Sequence, residues 1–215
     1  MITNKLCVMI KYTDTELKNL LGEKIGEGTE KICFLSRIDS SKCFKLSNKS
    51  KSEQIVREIE YFEFLEKRKK RASFLPKYYG SFESDAYIGY TQECFVSKSR
   101  GGNFENISSL ERYIEKTSNN EDEIRLELQS LREELLMSGI ICSDLHGENI
   151  LRICRDKKIR FVIIDGFGAP EFIPLCKYVK VLAKKKMERQ WCRFEKRLNI
   201  YFNRRRCGLC PSIEV

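Results

Sequence analysis

Two carboxylates and an amide are spaced in this chain so as to hold a metal ion and take up a proton. Residues 143–151 run Ser-Asp-Leu-His-Gly-Glu-Asn-Ile-Leu. Sixteen residues past Asn149, the apolar run Phe161 to Ile164 ends in Asp165-Gly166-Phe167-Gly168. Oxygen ligands suit Mg2+, which takes a few protein carboxylates or carbonyls and completes its shell from phosphate and water. Asn149 and Asp165 are the expected ligands, which leaves Asp144 to accept a proton from an attacking hydroxyl. His146, the single histidine, is expected to shape the loop rather than to move the proton.

This pairing resembles the protein-kinase-like signature, in which an Asp-Leu-x-x-x-Asn catalytic loop precedes an Asp-Phe-Gly metal motif. It departs from that signature at Cys142-Ser143, where the family carries His-Arg or His-Gly, and at the inserted Gly166. The resemblance extends upstream. Gly26-Glu27-Gly28 matches the glycine turn whose bare backbone lets N–H groups approach phosphates, although Lys31 stands where the third glycine would be. On the same resemblance Lys45 contacts the α- and β-phosphates of ATP. Glu58 braces it from a helix, with Glu60 as the alternative, and Glu93 and Cys94 offer backbone groups to adenine.

Several further segments are similar to a narrower family, YrbL, whose name links it to the bacterial PhoP regulatory network. They are Arg57-Glu58-Ile59-Glu60-Tyr61, Leu75-Pro76-Lys77-Tyr78-Tyr79-Gly80, Glu148-Asn149-Ile150-Leu151, Phe172-Ile173-Pro174-Leu175 and Arg189-Gln190-Trp191-Cys192-Arg193-Phe194. The resemblance implies a bacterial protein with a kinase-like fold. Only 47 residues follow Gly168, and Ala169-Pro170-Glu171 comes directly after it, without the long activation loop with which protein kinases hold a peptide. The implied acceptor is therefore a small molecule, a sugar or lipid head group, or an unusual protein surface.

The elements that must position these groups are legible in outline. Strands and turns are expected through residue 47, followed by a helix from about Ser52 to Arg71 on which Ile55, Ile59, Phe62 and Leu65 share a face. Strands resume around Phe82 and Tyr87 to Phe95, and Gly101-Gly102-Asn103 is a loop or hinge. A short helix is expected over Ser109 to Lys116. A longer one is capped by Asn119-Asn120, carries the stripe Ile124, Leu128, Leu131 and Leu135, and stops at Gly139. Ile140 to Cys142 and Arg160 to Ile164 are expected as strands. The predicted fold class is α+β with two kinase-like lobes: an N-lobe over about 1–93, a hinge over 94–104, and a C-lobe over 105–215.

The C-lobe would end in a basic helix over 175–202. Lys177 to Arg206 holds twelve Lys or Arg against Glu188 and Glu195, whereas the rest of the chain is near neutral within an overall charge of +9. Leu175, Tyr178, Val179, Leu182, Trp191, Phe194, Leu198 and Tyr201 give this helix an apolar stripe. Lys184, Lys185, Arg189 and Arg193 fall on its polar side. That side is either a solvated face or a surface for an anionic substrate or membrane; no base-reading motif accompanies it, so sequence-specific nucleic acid is not expected.

With 41% hydrophobic and 33% charged residues over 215 positions, the chain can bury a core. No apolar run approaches the ~18 residues of a membrane-spanning helix, and Met1 to Ile10 is too weakly apolar for an export signal. The ten scattered cysteines are expected as reduced thiols of a cytoplasmic protein. Cys207 and Cys210 are either plain thiols or half of a zinc site. Three functions are thus in play: an ATP- and Mg2+-dependent phosphotransferase, a pseudokinase-like regulatory module, and, last, a nucleic-acid binder driven by the basic helix.

Overall fold

Residues 9–96, 106–155, 158–168 and 178–206 are described by a computed structural model. In chain order the elements are β1 (Ile10–Lys11), α1 (Asp14–Leu20), β2 (Leu21–Glu27), β3 (Ile32–Ser36), β4 (Lys42–Asn48), α2 (Glu53–Lys67), β5 (Tyr78–Glu83) and β6 (Tyr87–Glu93). There follow β7 (Asn106–Ser109), α3 (Leu110–Lys116), α4 (Glu121–Ser138), β8 (Ile150–Arg155), β9 (Lys158–Ile163) and α5 (Lys180–Arg206). The class is α+β. The chain divides into two units, Met1–Lys70 with Pro76–Glu105, and Arg71–Leu75 with Asn106–Val215.

The first unit is a six-stranded mixed sheet in the order β1-β5-β6-β4-β3-β2, in which β1 runs parallel to β5 and the other pairs are antiparallel. Its logic is visible on β4, because successive strand residues point to opposite faces. Phe44 and Leu46 go to one face and pack with Leu17 of α1 and Phe82 of β5. Cys43 and Lys45 go to the other, where Lys45 lies opposite Tyr90 in the ladder. Helix α2 carries the complementary stripe: Ile55, Ile59, Phe62 and Leu65 are buried as their spacing predicts, and so is Glu58. Phe62 stacks on Tyr78 with ring centroids 5.2 Å apart.

Helix α1 corrects the expectation of strands alone before residue 47. Its start is legible as Thr13-x-x-Glu16, a capping box in which each side chain satisfies the other's backbone N–H. The two turns of helix that follow are hidden because only Leu17 among its residues is buried, so the sequence lacks a helical apolar stripe there.

The second unit holds the antiparallel sheet β7-β8-β9 with α3, α4 and α5. Helix α4 has the expected capping box from Asn120 to Glu123, the buried stripe Ile124, Leu128, Leu131 and Leu135, and its end at Gly139. Segment Arg71–Leu75 belongs here: Ile163 N–H donates to Phe74 O at 2.9 Å, and Ser73 bonds Glu134. Two sequence expectations are corrected. Ile140 to Cys142 is not a strand but contributes one isolated bridge, Cys142 to Phe167, while Ile150 and Leu151 begin β8.

The basic helix spans Lys180–Arg206, and the first half of its stripe is re-phased. Its buried apolar residues are Ala183, Met187, Trp191, Phe194, Leu198 and Phe202, steps of three and four that face α3 and α4; Trp191, Phe194 and Leu198 are buried as expected, and Lys186 is buried beside them. Leu182 sits about 100° around the helix from Ala183 and is therefore exposed, as are Tyr178 and Val179. Leu175, the Gly101-Gly102-Asn103 hinge and the Cys207/Cys210 pair lie outside the described residues. The six described cysteines, 33, 43, 94, 142, 154 and 192, are free thiols. No helix among the described residues is long and apolar enough to cross a membrane.

Candidate functional site

Within the second unit, the loop carrying Asp144 is laced to the turn carrying Asp165. Ser143 donates twice to Gly166 O, from its N–H at 2.7 Å and from its hydroxyl at 3.1 Å. Gly168 N–H donates to Ile141 O at 3.0 Å, and Ile164 N–H to Asn149 O at 2.9 Å. The closeness demands glycine at 166: its φ is +79°, and a Cβ there would lie 2.7 Å from Asp144 Cβ. Ser143 and Gly166, the two departures from the kinase-like signature, are therefore matched to one another. The first ties the loop to the turn, and the second leaves room for it.

Asp144, His146, Asn149 and Asp165 are brought together by this arrangement. Asn149 Nδ2 donates to Asp144 O at 3.3 Å and to Oδ2 at 3.4 Å, and its own N–H bonds His146 O at 3.1 Å. His146 Nε2 lies 3.3 Å from Asp144 Oδ2. That hydrogen bond is the main reason the Asp144 carboxyl is held below its ordinary value; the charges of His146 and Arg197 add to it, while desolvation and Asp165 oppose it. The same bond raises the imidazole's proton affinity against desolvation. Asp165 accepts the N–H of Gly166 on Oδ1 at 2.8 Å. The Asn149 amide and the Asp165 carboxylate are hard oxygen donors, the kind that Mg2+ accepts together with phosphate and water. Among the described residues no three His, Cys, Asp or Glu form a metal cluster.

Sequence reasoning missed what α5 does here. Met187 Sδ accepts the N–H of Cys142 at 3.3 Å, and Tyr201 OH accepts that of Gly147 at 3.4 Å. Arg197 Nη1 donates to Leu145 O at 3.1 Å and lies 3.9 Å from Asp144 Oδ1. Arg204 reaches Glu111 of α3 at 3.6 Å. The spacing 197, 201 and 204 is one helix face, a signal present in the sequence but masked by the density of basic residues around it.

In the first unit, Lys45 is buried, and its Nζ is 6.0 Å from the Tyr90 ring centroid. The Tyr90 hydroxyl donates to Glu58 Oε2 at 2.9 Å. Glu58 is thus the carboxylate turned into this cluster; Glu60 is exposed. Its other oxygen, Oε1, takes Lys31 Nζ at 2.8 Å, with both side chains almost wholly buried. Lys31, noted in the sequence only as a missing glycine, is half of a buried ion pair joining the β2–β3 hairpin to α2.

Gly26 and Gly28 lie in that hairpin, where Gly28 N–H donates to Lys31 O at 2.8 Å. A Cβ at Gly26 would meet Cys33 Cβ at 3.7 Å, and one at Gly28 would meet Lys31 O at 3.8 Å, both ordinary contacts. The hairpin itself does not require either glycine. Glu93 and Cys94 already spend their N–H groups on Lys77 O and Ser41 O, both at 2.8 Å, so a purine edge here would be met by carbonyls. Beside them Gln92 is buried, and its Oε1 has no hydrogen-bond partner among the described residues.

Known proteins place the chain in a family. A family profile described as PhoP regulatory network protein YrbL matches residues 19–199. YrbL of Escherichia coli strain K12 is 29% identical over 179 residues, which covers 79% of this chain and 82% of that protein. YrbL of Shigella flexneri matches with the same figures. The matched span contains both side-chain clusters, and on it the chain belongs to the YrbL family.

Proposed function

We propose that the chain is a two-lobed, protein-kinase-like phosphotransferase that uses ATP and Mg2+ in the bacterial cytoplasm. The observation that supports this reading is the lacing of the Asp144 loop to the Asp165-Gly166 turn, which brings Asp144, His146, Asn149 and Asp165 into one unit. In this reading Asp144 accepts the proton of an acceptor hydroxyl. The acceptor oxygen then bonds the γ-phosphorus of ATP as the bond to the β–γ bridging oxygen breaks, leaving ADP. Mg2+, held by Asn149 and Asp165, would neutralise phosphate charge. Lys45 contacts the α- and β-phosphates, and Glu58, anchored by Tyr90, braces the lysine's surroundings. Gly26 and Gly28, which the hairpin does not need, keep its backbone open to phosphate.

Incubation with Mg2+ and γ-labelled ATP, with and without cell extract, beside Asp165→Ala is the direct test. Label transferred by the wild type alone supports the reading and marks the acceptor fraction. A regulatory, pseudokinase-like module is the second reading. It is favoured by the regulatory network in the family's description. Mg·ATP binding with no label transferred to any fraction would favour this second reading.

A further inference from the structure

We infer that Arg197 is an acceptor-binding residue, and that the acceptor is a hydroxyl compound already carrying an oxyanion, a phosphate or a carboxylate. The inference rests on the phosphotransferase reading for the word acceptor, but the anion site stands on its own geometry.

Arg197 is fixed without being used up. Among the described residues its guanidinium makes one hydrogen bond, to Leu145 O, out of the five N–H donors it carries. Asp144 Oδ1 at 3.9 Å is beyond hydrogen-bond reach, so the two are neighbours rather than a forked pair. Both side chains are about half exposed, 49% for Arg197 and 53% for Asp144. A guanidinium held in place by a backbone carbonyl, open to solvent and with most donors unspent, is shaped to receive a planar or tetrahedral oxyanion.

Position gives a second reason. Arg197 Nη1 lies 3.9 Å from Asp144 Oδ1, so an oxyanion settled on the guanidinium places a neighbouring hydroxyl of the same molecule beside Asp144. Of the carboxylates around the loop, Glu111 is met by Arg204 at 3.6 Å and Asp144 by His146 at 3.3 Å. The exposed lysines and arginines nearer the start of α5 make none of these contacts with the loop.

The single histidine supplies a probe that needs neither ATP nor a known acceptor. Imidazole resonances of the full chain at fixed pH are followed while glycerol, glycerate or glycerol 3-phosphate is added. Phosphatidylcholine vesicles doped with phosphatidic acid form a separate arm, to tell a soluble phosphate from a lipid head group. The expected result is a saturable shift with an anionic ligand and none with glycerol. The shift should weaken at least ~10-fold in apparent affinity in Arg197→Gln, be partly restored in Arg197→Lys, and persist in Lys196→Gln, an equal charge change one residue away. In the label-transfer assay, Arg197→Gln should raise the KM for the acceptor fraction while Mg·ATP affinity is unchanged. No shift with any anion, or equal loss in Arg197→Gln and Lys196→Gln, would overturn the inference. An anion shift in a protein that does not bind Mg·ATP would instead sink the phosphotransferase reading and leave the anion site standing.

Discussion

Asp144 is pulled two ways, and the pull can be measured. His146 and Arg197 favour its charged form while Asp165 disfavours it. If Asp144 takes the acceptor proton, Asp144→Asn should bind Mg·ATP almost normally while turnover falls ~10²-fold or more. Equal losses in calorimetric binding and in turnover would reassign the residue to structure or metal. The pH dependence follows from two shifts of opposite direction. His146 has its proton affinity raised from 6.5, so its contribution to stability is complete below that value and fades as pH rises through the folded value. Asp144 is lowered from 3.8, so its contribution is complete above that value and fades as pH falls through the folded one. The Tm difference between wild type and His146→Gln should therefore be greatest between about 4 and 6.5 and shrink on both sides. A Tm difference that did not vary with pH would mean that the ion pair is not formed.

Elements hold these residues through a few close contacts, and two of the contacts can be broken singly. Gly166 sits at a positive φ with Asp144 directly over it, so Gly166→Ala adds backbone strain and a Cβ clash. A loss of ~1–3 kcal/mol is expected in denaturant unfolding, with a larger fractional loss of turnover because Asp144 is displaced. An unchanged midpoint would contradict the 2.7 Å approach. In the other unit, Lys31→Met removes one partner of a buried pair and should cost about 3 kcal/mol. A loss below ~1 kcal/mol would mean that another cation takes over the carboxylate, since an uncompensated buried charge is expensive. The capping box that starts α1 and the face of α5 carrying Arg197, Tyr201 and Arg204 are both present in the sequence. The first is hidden because α1 buries a single residue, Leu17, and the second because basic residues crowd around it.

For the molecule as a whole, α5 is a structural strut with one face bonded to the loop that carries Asp144. Leu198 is fully buried, so Leu198→Ala should cost ~2–5 kcal/mol. Joint reversal of Lys184, Lys185, Arg189 and Arg193 to Glu, all exposed, should leave the unfolding midpoint nearly unchanged. The same change should weaken any binding to polyanions, as should salt near ~0.5 M. Unfolding of the charge-reversed chain would show that these residues hold the fold rather than face the solvent.

Residue type and spacing by themselves determined the α+β class, the stripes of α2 and α4, and the grouping of Asp144, Asn149 and Asp165. These follow from local rules: strand period, helix period, and a loop and a turn joined by a short sheet. Glu58 is buried beside the stripe of α2, whereas Glu60 is exposed. Tertiary structure alone decided that Lys31 meets Glu58, 27 residues away, and that Arg197 meets Leu145, 52 residues away. No local pattern encodes such pairs, because a long flexible cation can satisfy itself in water as readily as on a carboxylate. What selects its partner is the packing of α2 and α5, fixed by apolar residues elsewhere on the same helices.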